Sequence, residues 1–394
     1  MKKNISILGS TGSIGLNVLN LINEKRSLFR INILAANKNY KLICDQIVKY
    51  KPKVFIVSDY KIFEKIKKKF NKRNTIIINN FETQKNYLNK SDITVAAIPG
   101  IAGLRPTIEL IKKSKRILIA NKESVICGWN LIKSIAYKNN TKIIPIDSEH
   151  FSIMKLLEKQ NINNVKKIYL TASGGPFLNY KINKLKRVNP KQAIKHPKWR
   201  MGKKISIDSA TLMNKMLELI EAHKLFSIDF KKIDIVIHPE SLVHAIIEFK
   251  NGLFKFIYHE TTMLIPLANA IFGQDIDIND YLKPKINRSN SVFFKNLNFL
   301  KVDIKRFPIF KLKNRINEHI STPIIINAAN EILVDQYLKE KISFNTFYKY
   351  LTQVLNDRNY KKYAIKQPKN IDQIFQVDKW SRRTVYKKIN YKNA

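Results

Sequence analysis

Ile5-Ser6-Ile7-Leu8-Gly9-Ser10-Thr11-Gly12-Ser13-Ile14-Gly15 is the stretch on which the fold turns. A four-residue apolar run ends in three glycines spaced three apart, and a helix-length segment, Ile14–Asn23, follows. Glycines at such a turn let backbone N–H groups approach a pyrophosphate closely, and the helix N-terminus adds the positive end of its dipole. The spacing, G-x-x-G-x-x-G, is one residue off the usual dinucleotide fingerprint. A purely structural glycine turn is the competing reading.

Outward from this turn, residues 1–146 alternate apolar runs with amphipathic segments. The runs are Ile5–Leu8, Ile31–Ala35, Val54–Val57, Thr75–Ile78, Ile93–Ile98, Ile117–Ala120 and Lys142–Ile146. Helix-length stretches such as Tyr40–Tyr50 and Leu104–Lys113 lie between them, an alternation that predicts a doubly wound, mainly parallel sheet. Residues 147–274 mix strand patterns with a helix expected from about Ser209 to Leu225, an α+β arrangement. Residues 275–306 are polar and read as a linker. Residues 307–394 carry helical spacing in Thr322–Lys339 and Phe344–Asn356, which predicts a C-terminal helical domain.

The bulk composition narrows the function classes. The chain has 394 residues, 44% of them hydrophobic, enough for several domains with buried cores. No apolar run is long enough to span a membrane, and the short run after Met1-Lys2-Lys3-Asn4 is no signal peptide. Its two cysteines, Cys44 and Cys127, have no metal or redox spacing, so a reducing cytoplasm is expected. The net charge of +42 raises nucleic-acid binding as a possibility. Yet the lysines are spread along the chain among Asn and Ile, as compositional bias would place them, and no specific nucleic-acid partner is expected. A general positive field would still draw in a phosphorylated ligand.

The second strand ends in Ala35-Ala36-Asn37-Lys38-Asn39. An NAD enzyme usually has an acid there for the ribose 2′-hydroxyl; one lysine and no acid favour the 2′-phosphate of NADPH. Lys38 as one more surface lysine is the alternative. Pro145-Ile146-Asp147-Ser148-Glu149-His150 closes the seventh run. If the backbone is extended, Asp147 and Glu149 point the same way, and two converging acids call for a shared cation or proton. Oxygen ligands suit Mg²⁺ or Mn²⁺. Thr171-Ala172-Ser173-Gly174-Gly175-Pro176-Phe177 sets a hydroxyl beside two glycines, a turn suited to an anion or simply a turn. On the expected helix, Asn214 and Glu218 are four apart and share a face, with Ser209 at its start. His196-Pro197-Lys198-Trp199-Arg200-Met201-Gly202 reads as a polar loop able to act as a lid, and five of the seven histidines (196, 223, 238, 244 and 259) fall between residues 196 and 259. His223 and His259 are read as structural or surface residues.

In this order, GSTGSIG at 9–15, NKES at 121–124, DSEH at 147–150, SGGPF at 173–177, HPKWRMGKKISIDSATLMNK at 196–215, HPESLVH at 238–244 and NAANE at 327–331 resemble the 1-deoxy-D-xylulose 5-phosphate reductoisomerase family. The resemblance covers nearly the whole chain. It implies an NADPH-binding Rossmann-like domain, a catalytic domain and a C-terminal helical bundle, assembled as a homodimer. It implies Mg²⁺ or Mn²⁺ on Asp147, Glu149 and Glu218, and a phosphosugar held at its phosphate by Ser173, Ser209, Asn214 and Lys215. Lys122, Ser148 and His244 match positions near the substrate's oxygens; His196, Trp199 and Met201 match a mobile loop. Thr11, Gly12, Ser13, Ile14, Asn37, Lys38, Asn39, Asn121, Glu123, Met201, Gly202 and Met263 match cofactor positions. The implied chemistry is a metal-assisted rearrangement of the carbon skeleton followed by hydride transfer from NADPH, giving 2-C-methyl-D-erythritol 4-phosphate.

The chain departs from the family pattern at Asn37, Pro99 and Met216, and at Thr261-Thr262-Met263-Leu264, where P-D-M-R is usual. These departures bear on efficiency and stability; the metal and phosphate positions are intact. A different NADP-dependent oxidoreductase would share the glycine turn and Lys38 but not the D-S-E and S-G-G-P-F segments, and a basic nucleic-acid-binding protein would explain the charge but not the ordered motifs.

Overall fold

In the computed structural model, which describes residues 2–81, 89–199, 201–273, 276–281 and 296–390, the opening apolar run becomes strand β1 (Lys3–Leu8) and the glycine turn leads into helix α1 (Ser13–Glu24). The chain divides into two units. The first is Met1–Ser124, Trp129–Phe151 and Met263–Ile286; the second is Val125–Gly128, Ser152–Thr262 and Asn287–Ala394.

The first unit is a seven-stranded, all-parallel sheet. Its strands are β1, β2 (Phe29–Ala36), β3 (Val54–Val57), β4 (Ile76–Ile78), β5 (Ser91–Ala96), β6 (Ser114–Ile119) and β7 (Lys142–Pro145), in the order β4-β3-β2-β1-β5-β6-β7. Helices α2 (Tyr40–Tyr50), α3 (Tyr60–Lys69), α4 (Leu104–Ile111) and α5 (Lys122–Lys138) provide crossovers. A parallel sheet covered on both faces buries every residue of its inner strands, so its apolar runs are continuous rather than alternating. Ile5, Ile7, Leu8, Ile33, Leu34 and Val54 to Val57 are accordingly sealed from solvent. The strand order reverses between β1 and β5, and the glycine turn lies at the carboxyl end of β1, where open α/β sheets bind ligands.

The Leu264–Phe272 helix, placed by sequence with the middle domain, belongs to this first unit. Phe272 meets Phe29 edge to face at 5.6 Å, Lys25 lies over the Phe272 ring, and Arg116 donates to the carbonyls of Ala270 and Ile271. Of the expected linker, residue 275 and residues 282–295 lie outside the described residues.

The second unit is built on a mixed four-stranded sheet, β11-β10-β8-β9, from β8 (Val165–Ala172), β9 (Ile233–Ile237), β10 (Val243–Phe249) and β11 (Phe254–Tyr258). Strand β10 runs antiparallel to β8 and β11, and β9 runs parallel to β8. The expected helix from Ser209 to Leu225 is two helices, Lys203–Ala210 and Met213–Phe226. Between them Leu212 sits at φ 68°, a left-handed conformation costing a non-glycine residue about 1–2 kcal/mol. Leu212 is 1% exposed, so burial of its side chain offsets that cost. Thr211 seals the break: its Oγ1 accepts from the Met213 N–H at 3.3 Å while its backbone N–H still bonds Ile207. Ser209 therefore closes the first helix and does not open the second.

The C-terminal helices Thr322–Leu338, Phe347–Leu355, Tyr360–Ala364 and Ile371–Asn390 belong to the same unit. Tyr337, Phe344 and Phe347 form an aromatic cluster there, and Phe177 packs edge-on against Phe344 at 5.1 Å.

Candidate active site

In the first unit the glycine turn is open to a ligand on one side and locked to the sheet on the other. Gly9 has φ +83°, and a Cβ there would meet the Ala97 carbonyl oxygen at 2.6 Å; at Gly15 it would meet the Gly9 carbonyl oxygen at 2.4 Å. The Gly9 and Ser10 N–H groups both donate to Ala35, and Gln46 of α2 exchanges two hydrogen bonds with Ser10. Gly12 and Ser13 are exposed and Thr11 and Ile14 half-buried at the N-terminus of α1, which has no side-chain cap. The Gly12 N–H donates to the Gly9 carbonyl at 3.0 Å, which leaves the N–H groups of Ser13 and Ile14 as helix N-terminal donors of the kind that suit an anion. Asn37, Lys38 and Asn39 are exposed beyond β2, and Asn39 caps α2 through the Leu42 N–H.

Asn121 is committed on all sides. Its Oδ1 caps α5 by accepting from Ser124, and its Nδ2 donates to the carbonyls of Ile98 and Gly100 at 2.5 and 3.0 Å and to Glu123. Pro99, a departure from the family pattern, therefore lies in a turn whose flanking carbonyls Asn121 holds; the missing proline N–H takes no part in that bonding. Met263, half-buried, directly precedes the Leu264–Phe272 helix.

The acidic pair sits at the other edge of this sheet. Strand β7 stops at Pro145 and helix α6 (Ser148–Leu157) begins three residues on. Asp147 and Glu149 are thus brought together by the entry into a helix, not by the strand alternation expected from sequence. A carboxylate oxygen of each lies within 4.8 Å of the other. The dipole at the start of α6 favours both charges. Lys122 makes a largely buried ion pair with Asp147 at 2.8 Å, and the Ser148 hydroxyl donates to Glu149 Oε2 at 2.7 Å.

The second unit carries the other candidates. Ser173 Oγ lies 2.9 Å from His196 Nε2 and accepts from the Gly175 N–H at 3.1 Å. Gly174 and Gly175 have φ of +80° and +66°, and a Cβ on Gly175 would come within 3.1 Å of the Ser209 carbonyl oxygen. Glycine there is what lets the Ser173 turn lie against the helix end that carries Ser209. Glu218 is 1% exposed; Asn214 Nδ2 donates to its Oε1 and Lys215 Nζ pairs with its Oε2 at 2.7 Å. The shared face of Asn214 and Glu218 is borne out. Met216, in place of the family's glycine, is buried in the same helix.

The loop expected to act as a lid begins at His196, whose Nδ1 accepts from the backbone N–H groups of Lys198 and Trp199. Burial and the nearby Lys215 push the His196 pKa down to about 4. Trp199 is half-buried, its ring centroid 6.1 Å from that of His244 with the planes at 72°. Arg200 lies outside the described residues; Met201 and Gly202 lead into the Lys203–Ala210 helix.

Two contributors escaped the sequence reading. Asp208, next to Ser209, is buried and held by Lys204 at 2.9 Å and by Asn330 Nδ2 at 2.7 Å. The NAANE segment was the available signal, but nothing in it announced a partner 122 residues away. His259, read as structural or surface, is buried and stacked on His244.

The family description of 1-deoxy-D-xylulose 5-phosphate reductoisomerase matches residues 5–128, that of its C-terminal domain residues 143–226, and that of the DXP reductoisomerase C-terminal domain residues 260–384. The 1-deoxy-D-xylulose 5-phosphate reductoisomerase of Pelagibacter ubique is 44% identical over 376 residues, 94% of this chain and 96% of its own. A crystal structure of DOX-P reductoisomerase in complex with NADPH, fosmidomycin and magnesium superposes with a TM-score of 0.90 at 32% identity over 98% of each chain. The Zymomonas mobilis enzyme in complex with NADPH superposes at 0.85, with 29% identity over 99% of each. The chain belongs to the 1-deoxy-D-xylulose 5-phosphate reductoisomerase family.

Proposed function

We propose that the chain carries out its family's reaction, the NADPH-dependent isomerisation and reduction of 1-deoxy-D-xylulose 5-phosphate to 2-C-methyl-D-erythritol 4-phosphate in non-mevalonate isoprenoid synthesis. The observation that carries this reading is the pair Asp147 and Glu149 at the start of α6, beside Lys122, in a chain of this family. An all-oxygen, anionic donor set fits Mg²⁺ or Mn²⁺ and suits neither a soft metal nor a histidine site. Asp147 and Glu149, with Glu218, are the residues that would hold the ion. Bound there it would supply Lewis acidity to the substrate's neighbouring oxygens, and NADPH the hydride.

The chain's own residues do the rest. Lys122 balances the charge of Asp147, and the Ser148 hydroxyl orients Glu149. Ser173, Ser209, Asn214 and Lys215 bind the phosphate, and His244 meets a substrate oxygen. His196, Trp199 and Met201 belong to a loop that excludes water from the site. Thr11, Gly12, Ser13 and Ile14 take the pyrophosphate, Asn37, Lys38 and Asn39 the 2′-phosphate end, and Asn121, Glu123, Gly202 and Met263 complete the cofactor contacts. The test is NADPH consumption with 1-deoxy-D-xylulose 5-phosphate, with and without a chelator. Consumption that needs both substrate and metal supports the reading; consumption untouched by complete chelation would overturn it.

The working form in this reading is a homodimer. Strand β11 is a sheet edge exposing Phe254 and Phe256, with the exposed Leu253 just before it, an apolar edge that a second copy of the chain would cover. Sedimentation should give a dimer, and Phe256→Lys should weaken it. The compartment is the cytoplasm, in keeping with the free, buried Cys44 and Cys127. Among the described residues no helix is long and apolar enough to cross a membrane. The finer division into 1–146, 147–274, 275–306 and 307–394 belongs to the same proposal, save that the Leu264–Phe272 helix goes with the first unit.

A further inference from the structure

His244 stands on β10 and is 2% exposed. Its imidazole lies face to face with that of His259, the centroids 3.9 Å apart and the planes at 15°. His259 follows the last residue of β11 and is itself fixed twice: its backbone N–H donates to Leu242 at 3.0 Å, and its Nδ1 lies 2.8 Å from the Glu260 carbonyl oxygen. A carbonyl oxygen only accepts, so His259 carries its proton on Nδ1.

The ring of His244 also hydrogen-bonds the backbone of His259. The His259 N–H is already used, so the acceptor is its carbonyl, and the ring nitrogen facing it is a donor. Nε2 of His244 is buried and bonds to no described residue, which makes Nδ1 the donor. Burial and the neighbouring histidine and lysine charges hold His244 well below its ordinary pKa, and burial lowers that of His259, so both rings are neutral at pH 7. A neutral imidazole with its proton on Nδ1 has a bare lone pair on Nε2. The Trp199 ring also meets that of His244, in a T-shaped arrangement with centroids 6.1 Å apart and planes at 72°.

We propose that His259 is a positioning residue: its ring face and its carbonyl hold His244 as the Nδ1–H tautomer, so that Nε2 accepts a hydrogen bond from a hydroxyl of the substrate. This rests on the reading that His244 meets the substrate. The specificity that follows is for a group that donates at this point, a hydroxyl, over a keto or ether oxygen, to which a bare nitrogen offers nothing. The stack fixes ring rotation and the carbonyl fixes the proton, so the two contributions separate by mutation: phenylalanine keeps a flat face and the carbonyl, alanine keeps the carbonyl alone.

The experiment uses the whole enzyme. Nitrogen-15 spectra of histidine-labelled protein, assigned with His244→Gln and His259→Phe, should show His244 with Nδ1 protonated and Nε2 bare at pH 7. His259→Ala should lose up to about tenfold in kcat with the NADPH KM unchanged, and His259→Phe should stay within about threefold of wild type. A His244 protonated on Nε2 or on both nitrogens overturns the proposal, as does wild-type kcat and KM in a folded His259→Ala. If the alanine variant does not fold, the phenylalanine variant decides: more than about a tenfold loss in folded His259→Phe overturns the proposal. Full activity in His244→Gln would remove the underlying reading as well. That outcome is distinct from failure of the proposal alone, in which His244→Gln is crippled and His259→Ala is not.

Discussion

His196 Nε2 donates to Ser173 Oγ across 2.9 Å, and the direction of that bond is set on the far side of the ring. Nδ1 accepts from both Lys198 N–H and Trp199 N–H, so it bears no proton, and the proton of the neutral ring is on Nε2. Ser173 Oγ thereby receives two hydrogen bonds, from His196 and from the Gly175 N–H. Both its lone pairs are engaged, and its own hydrogen is left to donate to an anion. A hydrogen bond to a charged group is worth about 1.5–3 kcal/mol.

Ser173→Ala should therefore lower kcat/KM for the phosphosugar by roughly ten- to a hundredfold. The KM for NADPH should stay where it is. Steady-state kinetics with each substrate varied in turn checks this, and an unchanged phosphosugar KM together with unchanged kcat would count against a phosphate role for Ser173.

The same ring gives the loop a pH dependence. The folded-state pKa of about 4 lies below the ordinary 6.5, so between those values the unfolded or undocked form binds more protons. The buried, neutral arrangement of His196, with its Nδ1 closing the turn to Lys198 and Trp199, is thus complete above pH 6.5 and is lost as pH falls toward 4. The Trp199 contribution to emission, taken as wild type minus Trp199→Phe, should change across that window and stay flat above it. The same change in His196→Gln would assign the transition to another group.

What was legible in the chain was what local chemistry writes. The glycine turn, the unbroken apolar runs of β1 to β3 and the 214/218 helix face depend on neighbours within a few residues, and each stands where expected. The break at Leu212 was not legible, because a leucine at positive φ has no sequence signature; only burial of its side chain makes it tolerable. The convergence of Asp147 and Glu149 was reached by the wrong geometry, since nothing marked Ser148 as the start of a helix. The pairs His244 with His259 and Asp208 with Asn330 are set by tertiary packing, which single-chain spacing does not encode.

Lys38 has no acidic neighbour on the Ala35–Asn39 turn to compete for it. Catalytic efficiency should favour NADPH over NADH, and Lys38→Ala should cost several-fold with NADPH while leaving NADH almost untouched, since exposed ion pairs are worth about 1 kcal/mol or less. Equal efficiency with the two cofactors in the wild type would contradict this.

On the proposed metal set, Glu218→Gln removes one anionic ligand, and it also takes the carboxylate from the buried Lys215. Turnover should fall by orders of magnitude, with more Mg²⁺ needed for half-activity, and stability should drop by about 3 kcal/mol. Circular dichroism and denaturant melts separate the two effects. A folded variant with normal turnover at limiting metal would remove Glu218 from the metal site.

One chain both rearranges a carbon skeleton and reduces the product. The direct measurement is carbon-13 NMR of 1-deoxy-D-xylulose 5-phosphate labelled in its chain, incubated with the enzyme, NADPH and Mg²⁺. The expected result is a branched product, 2-C-methyl-D-erythritol 4-phosphate, formed in step with NADPH oxidation and abolished by chelation. NADPH oxidation that leaves the labelled skeleton unbranched would rule out the coupled rearrangement and reduction.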